Sequence, residues 1–170
     1  MPRKSSGAHD TPSPRQTDAL IVDGSTRQAL VTTRVLGRSG LHVATAEAID
    51  LCDPYDALAF SSRWSVYHEL LPSYHDQSSA YASALLNLVR QWPTRVIVPS
   101  MDGSIASLRP WRSFFESEDV ALALASESAL EVANDKQRTL AVAAVLGIAS
   151  PRTVAIADPK NISDALAEVG

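Results

Sequence analysis

Short apolar runs alternate with longer amphipathic stretches along most of the chain, which predicts strands and helices in turn. The predicted strands are bounded by turn residues and cover 19–22, 41–46, 57–60, 95–100, 120–125 and 153–156. The predicted helices cover about 25–36, 77–91, a short segment broken near Pro110, 127–133, 135–146 and a last stretch from about Ser163. Because the connections between strands are too long for hairpins, the pattern predicts an α/β fold, a Rossmann-like three-layer sandwich with a mainly parallel sheet.

The first 18 residues differ from this pattern. They contain three prolines and almost no large apolar side chain, so they cannot bury enough surface to offset the entropy of ordering. We predict a disordered tail over 1–18. Its basic residues are not followed by an apolar run, so no secretory signal is expected, and no stretch approaches the roughly 20 apolar residues of a membrane span.

Composition narrows the class of protein. The chain has 170 residues, of which 45% are hydrophobic, enough for one core of ordinary size. Its net charge of −4 and scattered basic residues argue against a nucleic-acid or membrane-surface partner. A single cysteine excludes an internal disulfide, and the four histidines lack metal-ligand spacing. A cytoplasmic protein without a metal site is therefore predicted.

Three polar clusters follow predicted strands: DGSTR at 23–27, SSRW at 61–64 and PSMDGS at 99–104. Ligands of open parallel sheets usually bind beyond the carboxyl ends of the strands, so we expect these clusters to converge on one edge. The candidate substrate-binding residues are Gly24, Ser25, Arg27, Ser62, Arg63 and Asp102. They suggest a small polar ligand, such as a carboxylate. Structural roles stay open, because glycine suits a turn and both serine and aspartate suit helix N-caps. No catalytic residue is assigned.

The stretch NDKQRTLAVAAVLGIASPRT, residues 134–153, has its own pattern. Asn134 can cap a helix and form a capping box with Gln137, and an apolar stripe follows that includes Leu140 and Val145. Lys136 lies in the first turn, where the helix dipole disfavours a cation. Its position suggests a phosphate ligand, although a solvated lysine is an equally simple interpretation.

This stretch resembles the Asp-Lys, Leu-Gly-Ile and Pro-x-Thr segment that leads into the ATP-binding domain of ATP-grasp ligases. The resemblance is to the carbamoyl-phosphate-synthase-like and carboxylate-amine ligase branch. ALIVDGSTRQAL is similar to the first strand and helix of their pre-ATP-grasp domain, FSSRW to its Ser-Arg-aromatic turn, and VIVPSMDGS to its Pro-x-x-Asp strand end. The similarity covers about 19–170 and implies a pre-ATP-grasp domain over 19–133. Residues 134–170 would be a helix and the truncated start of the ATP-grasp domain.

The resemblance also implies an activity. Such ligases use Mg-ATP to convert a carboxylate into an acyl phosphate, which an amine then attacks, and Lys136 matches a lysine that often contacts the nucleotide. The second lysine, the glycine-rich loop and the magnesium-binding acids of the family have no counterpart in these 170 residues. We therefore expect no turnover and no tight ATP binding from this chain alone, and we expect the remainder of the ATP-grasp domain as its partner.

Two other interpretations remain. The chain could be a stand-alone Rossmann-like module that binds a small molecule or another protein, and the sequence leaves a homodimer open. A nucleotide-binding protein of Rossmann or flavodoxin type is less well supported, because DGSTR supplies only one glycine for a phosphate loop.

Overall fold

A computed structural model describes residues 16–49, 57–75, 78–156 and 158–169. The strands are β1 Thr17–Ile21, β2 Val43–Ala48, β3 Ser65–Leu71, β4 Thr94–Val98 and β5 Ala121–Leu122. The α-helices are α1 Arg27–Arg38, α2 Ser78–Gln91, α3 Asp102–Leu108, α4 Arg112–Ser117, α5 Glu127–Ala133, α6 Lys136–Val145 and α7 Ile162–Val169. Short 3₁₀ turns at Arg109–Trp111 and Pro159–Asn161 precede α4 and α7.

The five strands form one parallel sheet in the order β3-β2-β1-β4-β5. Helices lie on both of its faces. On one face α2 packs through Tyr81 and Leu85 against strand residues that include Leu20. On the other face Ala29 of α1 belongs to a second cluster with Ile21. The predicted Rossmann-like α/β sandwich is therefore confirmed.

Parallel pairing fixes where functional groups can meet. All five strands end at the same edge of the sheet, here called the carboxyl edge, and all begin at the opposite amino edge. The loops that follow β1 and β4 are neighbours at the carboxyl edge because these two strands are hydrogen-bonded. A five-residue strand spans roughly 16 Å, so the two edges present separate surfaces.

Two predicted strands are wrong. Residues 57–60 form a turn, in which the Phe60 N–H donates to the Ala57 carbonyl, and the third strand is Ser65–Leu71. That strand was missed because it lies at the edge of the sheet, where one side is open and its apolar residues need not form a continuous run. Residues 153–156 have no regular secondary structure and pair with no strand among the described residues.

Two boundaries also shift. Strand β1 begins at Thr17, inside the predicted tail, and residues 1–15 lie outside the described part of the chain. Helix α6 is capped by Asp135, whose carboxylate accepts hydrogen bonds from the N–H groups of Gln137 and Arg138 at 2.8 and 3.1 Å. Asn134 instead ends α5, so the predicted capping box is wrong.

The chain divides into two compact units, Met1–Leu124 and Ala125–Gly170. The first contains the sheet and α1 to α4. The second contains α5 to α7, and the apolar stripe predicted along α6 is not buried, since Val145 is 86% exposed. Within the described ranges, no helix is both long enough and apolar enough to cross a membrane.

Candidate functional site

Asp23 connects two loops at the carboxyl edge. It follows β1, is 1% exposed and has a left-handed backbone with φ of 61°. Its Oδ2 accepts hydrogen bonds from the Ser100 N–H at 2.7 Å, the Met101 N–H at 2.9 Å and the Ser104 hydroxyl at 2.7 Å. Asp23 therefore serves the start of α3 as a cap supplied by a different strand, since Met101 at the N-cap position makes no side-chain cap bond of its own.

A second buried acid, Glu47, fixes the neighbouring loop. It lies in β2 with no exposed surface, and its Oε2 accepts a hydrogen bond from the Ser25 N–H at 2.6 Å. The other carboxylate oxygen accepts from the Ala48 N–H at 2.7 Å. The backbone at Gly24 is held closely, because an added Cβ would lie 3.2 Å from the Ala46 carbonyl and 3.2 Å from the Phe60 ring. A side chain at Gly24 would therefore require these neighbours to shift by a few tenths of an ångström.

Tyr81 of α2 is buried beside these acids. Burial raises the pKa of its hydroxyl well above the usual value of 10.0, and the negative charges of Asp23 and Glu47 raise it further, with a smaller effect of Tyr74. One carboxylate oxygen, Oδ1 of Asp23, is buried without a hydrogen-bond partner. The carboxyl edge therefore holds negative charge in a low-dielectric setting.

The raised pKa of Tyr81 predicts a pH dependence. Its folded pKa lies above the unfolded value, so the contribution of the neutral phenol to stability is complete below pH 10.0 and is lost as the pH rises through the folded value. We expect Tyr81→Phe to move the midpoint of alkaline unfolding, followed by circular dichroism, to higher pH. An unchanged midpoint would show that another group controls alkaline unfolding.

The structure places most of the predicted site residues at the carboxyl edge. Thr26 rather than Ser25 caps α1, with its hydroxyl accepting from the Ala29 N–H at 3.0 Å. Arg27 is the exposed first residue of α1 and lines a cavity of about 640 Å³. Asp102 is exposed in the first turn of α3 and does not serve as its N-cap. Arg27 and Asp102 are thus both exposed at this edge.

The predicted convergence is wrong for the SSRW cluster. Arg63 and Trp64 come immediately before β3, whose first residue pairs with the first residue of β2, so they lie toward the amino edge. The Arg63 guanidinium stacks over the Trp64 ring at 4.7 Å. Ser62 is buried, and its hydroxyl accepts from the Trp64 N–H at 3.3 Å. Both residues thus make contacts within the turn, and their predicted role in substrate binding stays a prediction.

Lys136 is the exposed first residue of α6 in the C-terminal unit. The residues that organise the carboxyl edge, Asp23 and Glu47, were not among the predicted site residues. A detectable signal existed in both cases, since each acid interrupts or ends an apolar run predicted to be a buried strand. Among the described residues no group of three or more potential ligands could hold a metal ion.

What this edge can do chemically follows from the arrangement of its charges. The buried acids shape the backbone, while Arg27 offers an exposed guanidinium in the first turn of α1, where negative charge is favoured. The cavity that Arg27 lines extends along α1, since Gln28, Val31 and Thr32 also line it. The arrangement suits a small anionic group such as a carboxylate.

Comparison with solved structures places this fold beside biotin carboxylase domains. The biotin carboxylase domain of a single-chain bacterial carboxylase has a TM-score of 0.58 and 16% identity, and the match covers 89% of this chain and 34% of that one. The biotin carboxylase domain of a thermophilic 2-oxoglutarate carboxylase bound to bicarbonate has a TM-score of 0.52 and 15% identity, covering 91% and 34%. This chain thus spans about a third of those chains. No protein-family model matches it, and neither does any curated protein.

Proposed function

We propose that this chain is the N-terminal, substrate-side part of an ATP-dependent ligase of the ATP-grasp type. The whole enzyme would activate a carboxylate as an acyl phosphate, with ATP and Mg, for attack by an amine. The shared fold with biotin carboxylase domains supports this proposal, as does the resemblance of residues 134–153 to the segment that enters an ATP-grasp domain. One of those domains is described bound to bicarbonate, a small carboxylate-like anion.

The observation that carries the proposal is the apolar surface of the C-terminal unit. Among its described residues, large apolar side chains are exposed on and between α6 and α7: Val142, Val145, Leu146, Ile148, Ile156, Ile162, Leu166 and Val169. The buried apolar residues described there are Leu130 and Ala165. Covering this surface would contribute on the order of 10 kcal/mol, as much as the total stability of an ordinary domain. A surface of this kind suits further protein packed against it, and we assign that role to the remainder of an ATP-grasp domain.

The substrate would bind at the carboxyl edge. Arg27 would pair with the carboxylate of the substrate, and Gly24 and Ser25 would support it through the turn that Glu47 holds by a hydrogen bond. Asp102, exposed in the next loop, could accept a hydrogen bond from a polar group of the same ligand. Lys136 would contact the phosphates of ATP from the start of α6, where the exposed lysine has no ion pair with a described residue.

The test compares this chain with the protein encoded when the reading frame is followed past codon 170. We expect the longer protein to release ADP from Mg-ATP when a carboxylate and an amine are both present, and the 170-residue chain to release none. In the longer protein Lys136→Ala should raise the KM for ATP, and Arg27→Ala should raise the KM for the carboxylate, each about tenfold. Arg38→Ala, at the other end of α1, should change neither KM.

Three results would contradict the proposal. They are a stop codon directly after Gly170 in the intact gene, a longer protein without carboxylate-dependent ADP release, and tight binding of NAD or FMN by the 170-residue chain in calorimetry. The first would favour a stand-alone small-molecule or interaction module. The last would favour a dinucleotide- or flavin-binding protein.

A further inference from the structure

A second cavity lies at the amino edge of the sheet, at the end of the strands opposite to the candidate substrate site. It has a volume of about 330 Å³ and is enclosed by the segments that precede β1, β4 and β5 and by the end of α2. Its apolar floor consists of Val89, Pro93 and Val120, and the side chains of Gln16 and Thr94 also line it. The volume lies at the small end of the range for ligand pockets, which suits a small molecule.

Four charged groups line this cavity, and two of them are already paired. Arg90 donates hydrogen bonds to Glu118 through both Nε and a terminal nitrogen, with the first at 3.0 Å. This contact raises the pKa of Arg90 and lowers the pKa of Glu118. Both groups are therefore ionised near neutral pH and bound to each other, so neither charge is available to a ligand without breaking the pair.

The other two charges, Arg95 and Asp119, are free. Both are exposed, and neither forms a side-chain hydrogen bond or ion pair with a described residue. The pairing of β4 with β5 aligns Val96 with Ala121, and continuing this register toward the amino edge places Arg95 beside Val120 and Asp119 beside Thr94. Arg95 and Asp119 therefore lie on adjacent chain segments, offset by one residue. Opposite charges thus share one small cavity without neutralising each other.

The backbone at Asp119 belongs to a hydrogen-bonded turn. Asp119 has a left-handed conformation with φ of 57°, and its N–H donates to the Glu116 carbonyl at 3.1 Å at the end of α4. Its neighbour Val120 is fixed as well, with its N–H donating to the Phe115 carbonyl at 3.0 Å. The free carboxylate is therefore presented from a closed turn rather than from a loose loop.

We propose that this cavity binds a small zwitterion, an α-amino acid. The four charged groups that line the cavity have a net charge of zero. A ligand with a net charge therefore gains little electrostatic stabilisation from the cavity as a whole. A ligand with separated charges can place its carboxylate on Arg95 and its ammonium on Asp119, and a small side chain can contact the apolar floor. Since the two edges are roughly 16 Å apart, this site is distinct from the substrate site, and it does not depend on the proposed ligase activity.

The experiment titrates the ¹⁵N-labelled 170-residue chain with a panel of α-amino acids, and with acetate and methylamine as singly charged probes. We expect at least one amino acid to shift the amide signals of Arg95 and Asp119 with a Kd of about 1 mM or lower, and each singly charged probe to bind at least about tenfold more weakly. No shift at the highest soluble concentrations would overturn the proposal. Equal binding of acetate would also overturn it, because it would show a simple anion site at Arg95.

Two variants test the assignment residue by residue. Asp119→Asn keeps a residue that tolerates the left-handed backbone, and Arg95→Gln removes the charge but keeps a polar side chain that can donate hydrogen bonds. Each should weaken amino-acid binding about tenfold or more, while circular dichroism remains unchanged. Arg34→Gln, an exposed arginine on α1, is the matched control and should bind like the unaltered chain. Unchanged affinity in both Asp119→Asn and Arg95→Gln would show that the amino acid binds elsewhere.

Discussion

Replacing Asp23 with alanine should destabilise the protein by about 3 to 5 kcal/mol, because four donors lose a charged acceptor in a buried setting. The donors are the Ser100 N–H, the Met101 N–H, the Ser104 hydroxyl and, at 3.3 Å, the Ser100 hydroxyl. Alanine also tolerates a φ of 61° poorly, which adds about 1 kcal/mol. Thermal unfolding should show a decrease in Tm of roughly 10 to 20 °C.

Two companion variants separate the causes. Asp23→Asn keeps a residue that accepts the left-handed backbone and retains one acceptor oxygen, so it should cost about half as much as alanine. Asp102 is an exposed aspartate at the same edge and is not the N-cap of α3, so Asp102→Ala should change stability by less than about 0.5 kcal/mol. If Asp102→Ala were as damaging as Asp23→Ala, the cap supplied by Asp23 would not be the cause.

The dependence of α3 on Asp23 also connects stability with the candidate site. The start of α3 carries Asp102, and the turn after Asp23 carries Gly24 and Ser25. One carboxylate therefore sets the distance between two loops that we propose to contact the substrate. In the proposed longer enzyme, Asp23→Asn should raise the KM for the carboxylate even where folding is retained, because the two loops would no longer be held at a fixed distance from each other.

The parallel sheet could be predicted from the sequence because its central strands are unmistakable. Each of β1 and β4 contains a continuous apolar run, 19–21 and 96–98, which is typical of central strands covered on both faces. Strand β3 could not be predicted in the same way. It lies at an edge of the sheet and pairs with β2 alone. Its sequence SVYHELL therefore mixes exposed with buried positions.

The candidate site was harder to predict than the fold, since its organising contacts join residues far apart in sequence. Asp23 bonds to residues 77 to 81 positions away, and Glu47 bonds to a residue 22 positions away. A local pattern identifies Asp102 as a helix cap because aspartate is a favoured N-cap residue. The cap is instead supplied from β1, and only the topology of the sheet brings Asp23 there.

We expect Gly37→Ala to lower the stability of the protein, because the added Cβ would clash with Trp64. A Cβ at this position would lie 2.6 Å from Cβ and 2.8 Å from Cγ of Trp64. These atoms are close to the backbone of the turn before β3, so the side chain cannot rotate away from the contact. The gain in helix propensity, about 0.5 to 1 kcal/mol, is smaller than the cost of overpacking, up to about 3 kcal/mol, and a net loss of about 2 kcal/mol is expected.

Denaturant unfolding of two control variants distinguishes this clash from a general intolerance of α1. Gln28→Ala changes an exposed residue of the same helix and should alter stability by less than about 0.5 kcal/mol. Gly40→Ala meets no atom within 4 Å but has a φ of +88°, so its cost should come from backbone strain alone, about 1 kcal/mol. If Gly37→Ala were as stable as the unaltered chain, the turn at Arg63 and Trp64 would have to move freely. The stacked and buried contacts of that turn make such movement costly, which is why the clash should appear as lost stability.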